Sequence, residues 1–278
     1  NQGFDIEEVY LNAPLPDSIS ILVISELRSP LLAKEMDHLQ EFINRGGNLF
    51  VLGGPGRQEL MNPIIEQFGV RFMPGQLVQP TPLLQADLIQ AIPTDEGAAY
   101  WSNLDFIRKN EGCVAMPGCV GLEYTPTDGI TVVPLLSTDT TGCWNRIVAT
   151  DFVRDSVRYM PETGDQAGIF TTTLALTRNV NDLEQRVLIV GNTDFLSNGE
   201  FATGRREVRN FNGILKHAAF YWLSHEELPV NTEGDAPIDR KLYVSEAAME
   251  IWSIVFMVVI PVILALAGII IWVRRRGR

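Results

Sequence analysis

Apolar positions along the chain change their period in a regular order. Ser18–Ser25, "SISILVIS", is a short Ile- and Val-rich run, the pattern of a strand buried on both faces. In "RSPLLAKEMDHLQEFINRGG" the period becomes helical, with Leu32, Met36, Leu39 and Ile43 recurring three and four residues apart. Ser29 stands where it can cap the first turn, and Pro30 suits the first helical position, where its missing N–H costs nothing. Gly46 and Gly47 can take the left-handed conformation that stops the helix. "NLFVLGG" then predicts a second buried strand and "RQELMNPIIEQFG" a second helix, interrupted near Pro63. Strand, helix, strand, helix with short links is a βαβ unit, whose crossover makes the strands parallel.

Residues 74–130 are rich in Pro and Gly, with only short runs such as "DLIQAI" and "CVGLEY". They predict loops and edge strands inserted into the sheet. "ITVVPLLST" and "GIFTTTLALT" are β-branched and strand-like, and "QRVLIVGNTDFLSNG" is another buried strand ending in a polar loop. "NFNGILKHAAFYWLSHEE" predicts an amphipathic helix with Ile214, Leu215, Ala218, Tyr221 and Trp222 on its inner side. The expected fold of residues 1–224 is therefore α/β, a mostly parallel sheet flanked by helices.

A different pattern closes the chain. Residues 225–250 are acidic, polar and broken by prolines, the composition of a juxtamembrane linker. From Ile251 to Val273 no residue is charged. As a helix this stretch is about 34 Å long, enough to cross a hydrocarbon core of about 30 Å. Trp252 and Trp272 lie near its ends, where indoles favour the headgroup region, and Pro261 is tolerated inside a span. The expectation is one C-terminal transmembrane helix. Arg274, Arg275, Arg276 and Arg278 follow it, against Arg240 and Lys241 just before it. The positive-inside rule then places residues 274–278 in the cytoplasm and the bulk of the chain outside. Setting the four terminal arginines aside takes the net charge from −12 to −16. So acidic a domain is repelled by nucleic acid, which excludes that partner. The chain begins at Asn1 without an apolar leader-like stretch, so the expectation is the C-terminal piece of a longer protein.

Candidate chemistry is sparse. Cys113, Cys119 and Cys143 are an odd set. The turn in "CVAMPGC" allows a disulfide clip, and three reduced cysteines are the alternative. His38, His217 and His225 do not recur at ligand spacing, so no metal is expected. "LGGPGRQEL" lacks both the Lys-Ser/Thr pair of a phosphate loop and the glycine order of a dinucleotide site, so no cofactor is expected. A nucleophile elbow at that corner would need Ser or Cys, and Gly53, Gly54, Pro55 and Gly56 occupy it. No catalytic residue is assigned. In open α/β sheets ligands collect beyond the carboxyl ends of strands. Glu26, Gly54, Asn192, Asp194 and Asn198 fall there, a candidate binding groove, with loop-amide hydrogen bonds as the plainer role of Asp194 and Asn198.

"DSISILVISELRSPLLAKEMDHLQEFINRGGNLFVL", "EQFGV", "PLLSTDTTGCW", "RVLIVGNTDFLSNG" and "NGILKHAAFYWL", with the span and arginine cluster, resemble in order the extracytoplasmic domain of the gliding-motility-type (GldG-like) auxiliary components of ABC transport systems. The resemblance covers most of residues 10–278. It implies a domain similar to class I glutamine amidotransferase and flavodoxin-like folds, without the amidotransferase catalytic residues. A related domain in intraflagellar-transport proteins serves as an interaction module. It further implies an ABC permease and a cytoplasmic ATPase as partners, and residence in the cell inner membrane with a periplasmic bulk. The expected function is a non-enzymatic subunit acting by contact. The alternatives are an ectodomain binding a small molecule or glycan at the strand ends, and a degenerate amidotransferase-like hydrolase.

Overall fold

A computed structural model describes residues 4–82, 84–139, 142–152, 157–203, 207–228 and 252–276. They fall into two units, Asn1–Val230 and Asn231–Arg278, each treated by itself.

The first unit starts from two apolar pentapeptides. β1 (Ile21–Ser25) and β2 (Asn48–Leu52) pair in parallel, joined by helix α1 (Ala33–Asn44). The helix begins later than Ser29 and Pro30 predict: the Leu32 N–H is taken by the Glu35 carboxylate at 2.8 Å. At its end Gly46 adopts φ 93°, the left-handed stop that a residue without Cβ makes easily. α2 (Gln58–Ile65) runs through Pro63 and tightens into a 3₁₀ turn over Glu66–Phe68.

Beyond this unit the sheet departs from the expected architecture. The remaining strands are β3 (Val70–Phe72), β4 (Gln76–Val78), β5 (Leu88–Pro93), β6 (Val114–Pro117), β7 (Leu122–Tyr124), β8 (Thr131–Ser137), β9 (Trp144–Arg146), β10 (Gln166–Ala167), β11 (Thr171–Val180) and β12 (Leu183–Val190). The main sheet runs β1-β2-β12-β11-β8-β5-β6, with β7 joining β11 and β3 joining β7. Among the described residues β1–β2 and β2–β12 are parallel, and every other pairing between these strands is antiparallel. The sheet is mixed, not mostly parallel. One cause is local. Val180 pairs directly with Leu183, and Asn181 and Asp182 between them have φ of 52° and 64°. Two residues can only close a hairpin, and two positive φ values give the type I′ turn whose twist suits one. A separate antiparallel sheet, β10-β9-β4, lies off this path.

Helices cover both faces of the main sheet. Leu49, Val51, Leu174, Leu176, Val187 and Ile189 share a core with Leu39, Phe42 and Ile43 of α1 and Met61 and Ile64 of α2. The alternate residues Phe50, Leu52, Ala175, Leu188 and Val190 share a second core with residues of α4 (Ser102–Lys109) and α6 (Asn212–Leu223). This period-two sorting is what a strand covered on both sides requires. β1 differs from its prediction. Leu22 and Ile24 are buried, but Val23 is 45% exposed, because this edge strand is covered on one face only. On α6, Leu215, Ala218 and Trp222 are buried as read, while Tyr221 is partly exposed. Short helices α3 (Asp95–Tyr100) and α5 (Asn198–Thr203) complete the unit.

In the second unit one helix, α7 (Trp252–Arg276), is long and apolar enough to cross a membrane. It widens into a π turn over Val255–Val259, just ahead of Pro261, which has no N–H to give the preceding turn. Most of the expected acidic linker, residues 229–250, lies outside the described residues, as do Ile251, Gly277 and Arg278.

Candidate functional site

The carboxyl ends of β1, β2 and β12 adjoin. The Glu26 N–H donates to Leu52 O at 3.3 Å, the Gly53 N–H to Val190 O at 2.8 Å, and Thr193 Oγ1 to Gly53 O at 3.4 Å. Glu26 and Gly54 are in contact: a Cβ on Gly54 would stand 2.0 Å from Glu26 Oε1. The corner of Gly53, Gly54, Pro55 and Gly56 therefore presents backbone and one exposed carboxylate.

Asn192, in contrast, is a buried brace. Its Nδ2 donates to Pro117 O at 2.5 Å and to Gly118 O at 3.4 Å, and its Oδ1 accepts the Phe195 N–H at 2.7 Å. Those bonds tie the end of β12 to the turn between β6 and β7, and leave little for a ligand. Asp194 opens a 3₁₀ turn, Asp194–Leu196, and Asn198 opens α5; both side chains are exposed. Among the described residues neither side chain ties down a loop amide; the Asp194 carbonyl accepts the Ser197 N–H at 2.9 Å. Of the five residues, the structure thus joins Glu26 with Gly54 and turns Asn192 to structural work.

Cys113, Cys119 and Cys143 are buried and unlinked. Strand β6 extends between Cys113 and Cys119, and at about 3.3 Å per residue it holds the ends of the proposed clip apart. Burial pushes the Cys113 and Cys143 thiols up to about 11, and the Cys119 thiol still higher. Protonated thiols are poor nucleophiles at neutral pH. The histidines serve the fold or the surface. His38 Nδ1 meets Leu11 O at 2.8 Å, the Asn48 amide donates to His225 Nε2 at 3.1 Å, and the His217 ring stacks on Tyr221.

Two features have no counterpart in the sequence-based prediction. Arg146 and Asp165 form a buried pair, Nε to Oδ1 at 3.1 Å and Nη2 to Oδ2 at 2.7 Å. The same guanidinium donates to Arg158 O, and Asp165 Oδ2 also accepts the Met160 N–H at 2.8 Å. The available signal was slight, a lone charge in the strand Trp144-Asn145-Arg146. The second is a cleft of about 560 Å³ lined by residues of β5, the end of α4 and the segments following β4 and β8. Its lining residues come from five separate stretches of chain, within 79–81, 90–93 and 108–113 and at Asp139 and Arg209, so no local motif marks it.

No protein-family profile and no curated protein sequence matches the chain. Among solved structures it is similar to one described as "mmIFT52 N-terminal domain", with a TM-score of 0.51 and 14% sequence identity. The match covers 75% of this chain and 78% of that one. At such identity the likeness is one of fold. It is a likeness to that domain, and the expected flavodoxin-like parallel sheet is set aside.

Proposed function

We propose that the chain is a non-enzymatic, membrane-anchored auxiliary subunit of an ABC-type transport system, acting by contact with a permease and its cytoplasmic ATPase. One observation carries this reading: a domain with the fold of the mmIFT52 N-terminal domain shares its chain with a helix long and apolar enough to span a membrane. The ordered sequence resemblance to GldG-like components supports the choice of partners. The arginines after α7 support a cytoplasmic C-terminus and a domain on the periplasmic side of the inner membrane. The strand-end corner is consistent with contact as the mode of action. It pairs a glycine turn with one carboxylate, whereas acid–base chemistry asks for two poised groups.

Tethering by a linker raises the local concentration of a weakly binding surface to about millimolar, so a modest interface is enough for assembly. Affinity purification of the full-length chain from its native membranes, after mild crosslinking, tests the proposal. A polytopic permease and its nucleotide-binding ATPase are expected in stoichiometric yield. Recovery of the chain alone, or turnover of a substrate by it at enzymatic rates, overturns the reading.

A further inference from the structure

Helix α7 has more carbonyls than N–H groups to serve them. Through its π turn the bonds reach five residues back, and the Ile260 N–H donates to Val255 O. α-Helical spacing resumes at Ile260, so the Ile263 N–H serves Val259 O and each later N–H serves the next carbonyl along. Between the two registers lie the carbonyls of Phe256, Met257 and Val258. The N–H groups left for them would come from residues 261 and 262, and Pro261 has none. One N–H, that of Val262, remains for three carbonyls. Two go unmet within the helix.

The depth of this step makes it matter. Met257 lies five residues beyond Trp252, about 7.5 Å further along the axis from an indole that favours the headgroup region. Hydrocarbon offers no hydrogen bond, so backbone groups at that level must find a partner in protein.

The helix cannot supply that partner itself. Between Ile251 and Val273 the side-chain donors are Trp252, Ser253 and Trp272. Helical side chains lean toward the N-terminus, so those of Trp252 and Ser253 reach away from the step. Trp272 lies about 20 Å beyond Val258. The Phe256 ring also turns back, stacked on Trp252 with 5.7 Å between centroids, and leaves the carbonyl side open. A second copy of the chain inserts the same way and brings the same apolar residues to the same depth. Its helix has no donor to give.

We infer that α7 docks, at residues 256–258, against a different membrane-spanning helix that presents a hydroxyl or carboxamide donor from Ser, Thr, Asn or Gln. This rests on α7 crossing a membrane, and not on the identity of the transport partners. Photocrosslinking of the full-length chain in its native membranes tests it, with p-benzoylphenylalanine placed singly at each of positions 252–260. Adducts to a second membrane-spanning segment are expected, recurring every three to four residues, with one of those four donors within a helical turn of the attachment point. Pro261→Ala returns an N–H to the helix and should lower the yield of the strongest adduct about fivefold or more. Replacing the partner's donor by an apolar residue of similar size should do the same. Adducts confined to lipid or to a second copy overturn the proposal. So does a partner segment without such a donor, or a yield unchanged by Pro261→Ala. Alkaline extraction of the same membranes separates this from a failure of the span. The parent chain and Pro261→Ala should both stay with the lipid, since Ala suits a helix better than Pro. Release of the parent chain would remove the membrane helix and its docking together, whereas retention leaves the crosslinks to decide.

Discussion

Asp165 has no exposed side-chain surface, and its carboxylate is divided between the Arg146 guanidinium and the Met160 N–H. Asp165→Ala would leave a buried cation beside an apolar wall, at a cost of about 3–5 kcal/mol. Chemical denaturation of the variant should show that loss, with β9 and its neighbours the first to lose amide protection. Asp194 is the opposite case. Its side chain is exposed and ties down no loop among the described residues, so Asp194→Ala should change stability by less than about 0.5 kcal/mol. A larger loss in the same denaturation experiment would show a bond to this carboxylate. Both residues are aspartates in irregular surroundings, and nothing local in the sequence separates them. What differs is burial, which depends on segments far away in the chain.

At the scale of elements, the turn between β11 and β12 decides the character of the sheet. Asp182 sits at φ 64°, so Asp182→Gly should raise the melting temperature modestly, and Asp182→Val should cost about 1–2 kcal/mol. Thermal unfolding of the two variants checks the opposite signs. The strands on either side were visible in the sequence, since "TTTLALT" and "RVLIV" carry the β-branched runs of strands. Their relative direction was not read, although Asn-Asp tolerates the left-handed region that a two-residue hairpin needs. Likewise β1, α1, β2 and α2 followed from their periodicity, because each is a local pattern of apolar spacing. Val23 was misjudged because edge position is a property of the finished sheet. Helices α3 and α4 were missed: α3 is six residues long and α4 eight, too short for a period to declare itself. The candidate groove suffered from the same limit. Strand order brought Glu26 to Gly54. The bonds that occupy Asn192 run to Pro117 and Gly118, which no motif links to it.

For the whole molecule, the arginines after α7 predict which side the large unit faces. With Glu227→Cys, a membrane-impermeant maleimide should label intact cells; with Gly277→Cys, only after permeabilisation. The native thiols add little background, since all three are buried and protonated near neutral pH. Protection at residue 227 together with labelling at residue 277 would reverse the topology. The pairing of β2 with β12 carries a further consequence, in time rather than space. Leu49–Leu52 need Val187–Val190 beside them to complete the parallel centre of the sheet. At roughly 5–20 residues per second, synthesis takes on the order of ten seconds to supply that strand. Through that interval β2 offers an open apolar edge to any other chain, so the first fifty residues are where this protein is most exposed to aggregation before it is finished.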